Sequence, residues 1–316
     1  MIGCGTQTFT DPDDFRAHTP GFEIALVLTG PDPFRTRVAW AALPCLRVST
    51  IEERAARTGF MSLPSAIVCI SFLVRGNSPA YCNGVPLNRG DVVLHAPGER
   101  FHQRATGPFR WGLIALPASD LDAYGAALLG DRLALPHGPA ILRLPKAIAP
   151  TLLRLHRETC RLAEERPELV AHREVARALE QDLVAILVDG LSSAEIVDHA
   201  TTRRRHASIM ARFEDVLAHQ PGRPLSTPEL ARAAGVSERT LRLCCSAFLG
   251  RSPASYARLR RLNLVRSALA HGAAPATSIA TIAREHGFSE PGRFSTAYRS
   301  VFGETPSTTL RRSRPR

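Results

Sequence analysis

Arginine is the residue whose placement in this 316-residue chain points most directly to a chemistry. From Arg203 to Arg316 there are 20 arginines, no lysine and 7 acids, a net charge of +13. From Met1 to Thr202, 20 basic residues face 22 acidic ones, a net of −2, so the whole excess of +11 sits in the last third. A guanidinium is a planar fork that suits phosphates and guanine edges, so this concentration points to a polyanion, and to nucleic acid in particular. Coding bias alone would make the chain basic throughout, which it is not.

One further cluster could do chemistry. His95, Glu99 and His102 place three potential metal ligands within eight residues. Pro97-Gly98 between them signals a turn that would splay the side chains. Histidines at the surface are therefore the simpler reading, and no metal or cofactor is expected. The seven cysteines (Cys4, Cys45, Cys69, Cys82, Cys160, Cys244, Cys245) are scattered without CxxC spacing, so neither a disulfide framework nor a zinc ribbon is indicated. There is no nucleophile elbow, phosphate loop or pair of catalytic carboxylates. A metal-dependent enzyme would rest on the His/Glu cluster alone, and the chain is expected not to be an enzyme. Met1–Asp14 lacks a basic-then-apolar signal pattern, and the longest apolar stretch, Ala66–Val74, is too short to span a bilayer. A reducing cytoplasm is the expected location, with no membrane partner.

Inside the basic third, two segments repeat each other. Leu230-Ala231-Arg232-Ala233-Ala234-Gly235-Val236-Ser237 aligns with Ile282-Ala283-Arg284-Glu285-His286-Gly287-Phe288-Ser289 at an offset of 52. Further on, Gly250-Arg251-Ser252-Pro253 pairs with Gly303-Glu304-Thr305-Pro306 at 53, as a duplication with one inserted residue would produce. Each unit reads as helix, tight turn, helix. Glycine accepts the left-handed conformation that ends the first helix. Val236 or Phe288 plugs the angle, and Ser237 or Ser289 is placed to cap the second helix. That is a helix-turn-helix, whose second helix enters the major groove with its N-terminal residues nearest the bases. The arginines are spread over several short helices, which argues against a basic amphipathic membrane face. Between the copies, Tyr256, Leu259, Leu262, Val265 and Leu269 recur at helical spacing across Ser255–Ala270. A helix there of about 16 residues, roughly 24 Å long, would hold the two reading helices about one DNA turn apart.

The elements upstream must position something else. From about Phe22 to Leu116, apolar runs such as Glu23–Leu28, Arg37–Leu43 and Ile67–Val74 alternate with turn signals, the spacing of a small antiparallel sandwich or barrel. After Pro117 the period becomes helical: Ser119–Leu129, Ala147–Ala163 and Leu169–Leu187. Leu152, Leu155, Leu162, Val175, Leu179, Leu183 and Ile186 would line one seam, either a dimer interface or a flap over the sheet. Gly190–His206 loses periodicity and ends in Arg203-Arg204-Arg205, the best linker candidate. The fold expected is α+β in two domains, a β-rich N-terminal part with a helical segment and an all-α double helix-turn-helix.

The segment from about Ile209 to Arg312 resembles the AraC/XylS family. The residues that carry the likeness are Ser237 to Leu241, Leu249 to Tyr256, Arg261 to Asn263, Ile282 to Phe288, Phe294 to Tyr298, and Phe302 to Leu310. Within that family Gly292–Tyr298 looks closest to the ethanolamine-operon regulator type. The resemblance implies a cupin-like effector-sensing and dimerisation domain over 1–190 (β part about 20–118, helical part about 119–190), a linker over 191–206 and a DNA-binding domain over 207–316. It implies operator DNA, a small-molecule effector, a second copy of the chain and RNA polymerase as partners. A barrel that only dimerises is the alternative role for the N-terminal part. Carried over position by position, Arg239, Arg242 and Leu243, with Glu238 beside them, face the groove in the first unit. In the second they are Pro291, Gly292, Arg293 and Thr296, with Arg299 towards the phosphates. Two departures stand out. The family often has arginine where Leu243 and Thr296 stand, so the resemblance implies base contacts there that are either lost or converted to contacts with a thymine methyl. Cys245 replaces a usual core phenylalanine, which implies looser packing of the first unit.

Overall fold

The computed structural model describes residues 3–18, 22–76, 78–131, 133, 138–197, 201–272 and 278–313. Its strands are β1 (Gly3–Phe9), β2 (Glu23–Leu28), β3 (Thr36–Ala42), β4 (Arg47–Glu53), β5 (Arg57–Ser62), β6 (Ile67–Gly76) and β7 (Ala80–Cys82). They continue as β8 (Val85–Pro86), β9 (Asp91–His95), β10 (Arg100–Ala105), β11 (Phe109–Pro117), β12 (Ala140–Arg143) and β13 (Glu195–Ile196). Eight form one sheet in the order β1-β3-β4-β11-β6-β9-β12-β13, and five a second, β2-β5-β10-β7-β8. The pairings are antiparallel.

The helices are α1 (Pro12–Ala17), α2 (Ala118–Leu129), α3 (Ala149–Glu165), α4 (Pro167–Ala171), α5 (Arg173–Ser192) and α6 (Thr201–His219). After them come α7 (Thr227–Ala233), α8 (Glu238–Leu249), α9 (Pro253–Ser267), α10 (Ile279–Glu285), α11 (Pro291–Phe302) and α12 (Pro306–Ser313). A π turn, Ala268–Gly272, closes α9.

The layers follow from strand alternation. Because successive side chains point to opposite faces, β9 sends Val92 and Leu94 into one core and Val93 into another. Likewise β6 sends Val68, Ile70 and Phe72 to the first core and Cys69 to the second. The first core lies under α2, α3 and α5, where Leu152, Leu183 and Leu187 are buried. The helical seam read from the sequence is therefore a core stripe over the eight-stranded sheet, with Leu155, Leu162, Leu179 and Ile186 packed partly buried against it. The second core lies between the two sheets. Asn83-Gly84 joins β7 to β8 with φ of 47° and 81°, as a two-residue hairpin turn of matching twist requires.

Several elements fall outside the sequence expectation. β1 pairs with β3, and β12 and β13 extend the large sheet, so strands lie on both sides of the 20–118 region. β1 was missed because Gly3, Gly5, Thr6, Gln7 and Thr8 hide its alternation. The stretch 191–206 is not a plain linker. α5 runs to Ser192, β13 follows, and α6 begins at Thr201, with 198–200 outside the described residues. The physical reason is that residues 191–219 contain no glycine or proline, and arginine is a good helix former.

Two stability effects follow. A Cβ at Gly112 would lie 2.3 Å from the Phe72 ring, so Gly112→Ala should destabilise by about 1–3 kcal/mol, read as a lower Tm. His156 is fully buried against the Ser49 carbonyl (3.0 Å), and burial pushes its pKa down from 6.5 to about 4. The unfolded chain then takes up this proton first as pH falls, so stability held above pH 6.5 should decline between about 6.5 and 4, by roughly 3 kcal/mol at most. Denaturant melts across that range should show a shallower decline in His156→Gln.

Candidate nucleic-acid interface

The first unit is built as the residue order dictates. Ser226 caps α7 in a reciprocal box with Glu229. Gly235 then turns the chain at φ 69°, with its amide donating to Arg232 O at 3.1 Å and that of Val236 to Ala231 O at 3.0 Å. Ser237 opens α8 by accepting from Thr240 N at 3.1 Å. α8 buries Leu241, Cys244, Cys245, Phe248 and Leu249. Its other face exposes Arg239, Arg242 and Leu243. Glu238 Oε2 holds Arg242 at 2.7 Å, while Leu243 is 59% exposed. Cys245 is fully buried, and Met210 Sδ from α6 lies 4.0 Å from its thiol sulfur.

The second unit repeats the turn and then departs from it. Gly287 has φ 74°, and the amides of Gly287 and Phe288 find Arg284 O and Ala283 O, both at 2.9 Å. The residue at the N-cap of α11 is Glu290, not Ser289, and no side chain caps it. Pro291 occupies the first helical turn, where its missing N–H costs nothing. The inserted residue of the duplication thus sits in this turn. From the helix onward the equivalence is 53: Leu241 with Phe294, Cys245 with Tyr298, Leu249 with Phe302, and left-handed Gly250 with Gly303. On that register Leu243 corresponds to Thr296. Pro291, Gly292, Arg293, Thr296 and Arg299 are exposed together. Glu290 Oε1 accepts from Arg293 at 3.0 Å, and Thr296 donates its hydroxyl proton to Gly292 O at 3.1 Å.

The nine positions read from the sequence therefore fall on two second helices, the arginines and methyl-bearing residues exposed. α9 carries both units. Its Tyr256, Ala257 and Leu259 pack in the first unit, and Leu262 and Val265 in the second, joined there by Leu269 of the π turn. Its 15 residues are about 22 Å long.

Sequence reasoning missed how this pair sits on the β-sandwich. β2 and β10 of the five-stranded sheet meet α6, α8 and α9. Val27 joins the core of the first unit and Leu28 that of the second. Asn263 of α9 accepts from Leu28 N (2.9 Å) and donates to Leu28 O (3.2 Å), pairing both polar groups of that residue. Glu214 of α6, 1% exposed, accepts from His102 of β10 at 3.0 Å and from Tyr256 at 2.8 Å, and also holds Arg260. Burial works to raise its pKa, but His102 and Arg260 outweigh it and hold the carboxyl below its ordinary range. Beside it Asp215 binds Arg100 at 2.5 Å. The available signal was an acid on an apolar stripe: Glu214 stands at i+4 from Met210 and three before Leu217.

The His/Glu cluster is not a surface feature, and only His95 and Glu99 of it come together. His95 and His102 are both 1% exposed. His95 contacts Ser71 Oγ (3.0 Å) and Glu99 (3.2 Å) and stacks on Phe101, whereas His102 points out of the sandwich to Glu214. Adjacent residues of a strand face opposite ways, which separates a histidine of this strand from one beneath Phe101. Among the described residues, the group that brings three metal-capable atoms within 4.8 Å is Asp11, Asp14 and His271. No helix of the described residues is long and apolar enough to cross a membrane.

Comparison with known proteins adds the family. The helix-turn-helix domain family matches residues 230–312, and the AraC-binding-like domain family matches residues 21–188. The XylDLEGF operon transcriptional activator 1 of Pseudomonas putida is 40% identical over 90 residues, 28% of this chain and 27% of that protein. Activator 2 of the same organism is 40% identical over 88 residues, 28% of this chain and 56% of that protein. The chain thus spans between about a quarter and a little over half of these relatives' length. The AraC-like transcriptional activator CuxR, a solved structure, is 16% identical and covers 84% of this chain and 96% of its own, with a TM-score of 0.44. Since the AraC-binding-like match alone takes in more than half of the residues, the chain belongs to the AraC/XylS family.

Proposed function

We propose that this protein binds operator DNA sequence-specifically through α8 and α11 and regulates transcription from there in response to a small molecule. One observation carries the reading: two equivalent second helices, joined by one continuous strut, expose arginines at their N-terminal halves within a segment of net charge +13. A major groove accepts such a helix, and arginine reads guanine there by two hydrogen bonds. In this reading Arg239 and Arg293 contact bases, Glu238 and Arg242 act as a pair at the groove edge, and Arg299 meets phosphate. Regulation then consists of changing RNA polymerase's access to a promoter, in the cytoplasm, and no catalysis is involved.

The domain division proposed is a sensing and dimerisation part to about residue 190 and a DNA-binding part from α6 onward. An effector is supported by a cleft of about 620 Å3 between the five-stranded sheet and the DNA-binding helices, lined by Phe22, Ile24, Phe60, Arg100, Glu214 and Arg260. That volume suits a small ligand. A ligand there touches strand and helix at once, so its binding energy acts on how the two parts sit together.

Selection of bound duplexes by the full chain should yield two half-sites about one helical turn apart. Arg293→Ala should relax preference at one base position, losing discrimination of about 1–3 kcal/mol. Arg299→Ala should instead weaken all duplexes alike and reduce the salt dependence of binding by about one counterion. If both variants shift affinity uniformly, the base-reading assignment fails. Glu214→Ala should cost about 3–5 kcal/mol of stability, because His102, Tyr256 and Arg260 lose a buried acceptor. Since the folded pKa of Glu214 is lowered, its contribution is present above the usual carboxylate value and is lost as pH falls through the folded one. Acid melts should therefore be steeper in the native protein than in Glu214→Gln.

A further inference from the structure

Leu243 and Thr296 are one position seen twice. Each is the sixth residue of its second helix, seven before the left-handed glycine that ends it, and each is exposed. Neither is buried in a core of the fold. Leu243 is the most exposed large apolar side chain among the described residues. Thr296 has given its hydroxyl proton to Gly292 O, which leaves the γ-methyl as its remaining side-chain group. A bare leucine on a face otherwise populated by Arg239 and Arg242 is unfavourable in water and becomes favourable against an apolar surface. In a major groove the one apolar group on a base edge is the C5-methyl of thymine.

We infer that the two units read thymine by its methyl group at equivalent positions of the two half-sites, through Leu243 in one and Thr296 in the other. The inference rests on the DNA-binding function proposed above and adds the base that each helix selects. The flanking arginines are placed to help: Glu238 holds Arg242 and Glu290 holds Arg293 by one side each, which keeps the guanidinium groups near their own helix. Leu243 buries more methyl surface than Thr296, so its thymine is the more strongly selected.

The test uses the full chain and the duplex it selects, with each thymine replaced in turn by deoxyuridine, which removes the C5-methyl and nothing else. Two positions about one helical turn apart should each lose binding, by about three- to fourfold, the value of one buried methyl, at the thymine facing Leu243 and by less at the one facing Thr296. Leu243→Ala should abolish the penalty at one of them and Thr296→Ser, which keeps the hydroxyl, at the other. Both side chains are exposed, so each variant should melt as the native protein does. Uridine substitution that is silent at every position, or penalties that persist in both variants, overturns the methyl reading while leaving sequence-specific binding intact. A selection that returns no preferred sequence overturns the proposed function itself and the thymine assignment with it.

Discussion

A carboxylate taken out of water needs charge and hydrogen-bond partners around it, and at Glu214 those partners come from two different parts of the chain. Tyr256 and Arg260 belong to the strut between the two helix-turn-helix units, while His102 belongs to the β-sandwich. Replacing either side leaves a buried charge short of compensation, a cost of several kcal/mol. This one residue therefore ties the position of the first helix-turn-helix unit to a strand of the other domain. Asn263 does the same for the strut by closing both polar groups of Leu28, and the second unit's core takes in Phe9, Phe15 and Phe34 from the sandwich.

That arrangement turns β10 into a two-sided element. Phe101 faces the core between the sheets, while His102 and Arg100 bond the adjacent acids of α6. A strand's period of two makes this automatic: a shift on one face carries the other with it. The spacing of α8 and α11 consequently depends on more than the strut. The C-terminal glycine of each rests against the sandwich, Gly250 beside Arg104 and Gly303 beside Pro31 O. A side chain at either glycine would meet those atoms as well as a backbone angle that only glycine tolerates readily.

Much of the interface was legible in local residue order. Charge concentration, the Gly-x-Ser turns and the apolar spacing of Tyr256, Leu259, Leu262, Val265 and Leu269 all act within a few residues of themselves, so their meaning survives without knowledge of the fold. The exposed face of each second helix could be written down for the same reason: a helix has one buried face, and its exposed face follows. Where reading failed, a local rule had a competitor. Ser289 looked like a cap, but Pro291 moved the helix start by one. Residues 191–206 lacked apolar periodicity, yet without a helix breaker they continued into α6.

Sequence by itself determined that this chain carries two helix-turn-helix units behind a β-rich domain, because turn chemistry and periodicity are properties of neighbours along the chain. Only the tertiary structure decided that His102 meets Glu214 across 112 residues, that Leu243 and Thr296 are equivalent, and that His95, Glu99 and His102 do not form one site. Those outcomes depend on which faces pack together and on a one-residue change of register, and a strand or helix does not announce its partner in its own residues.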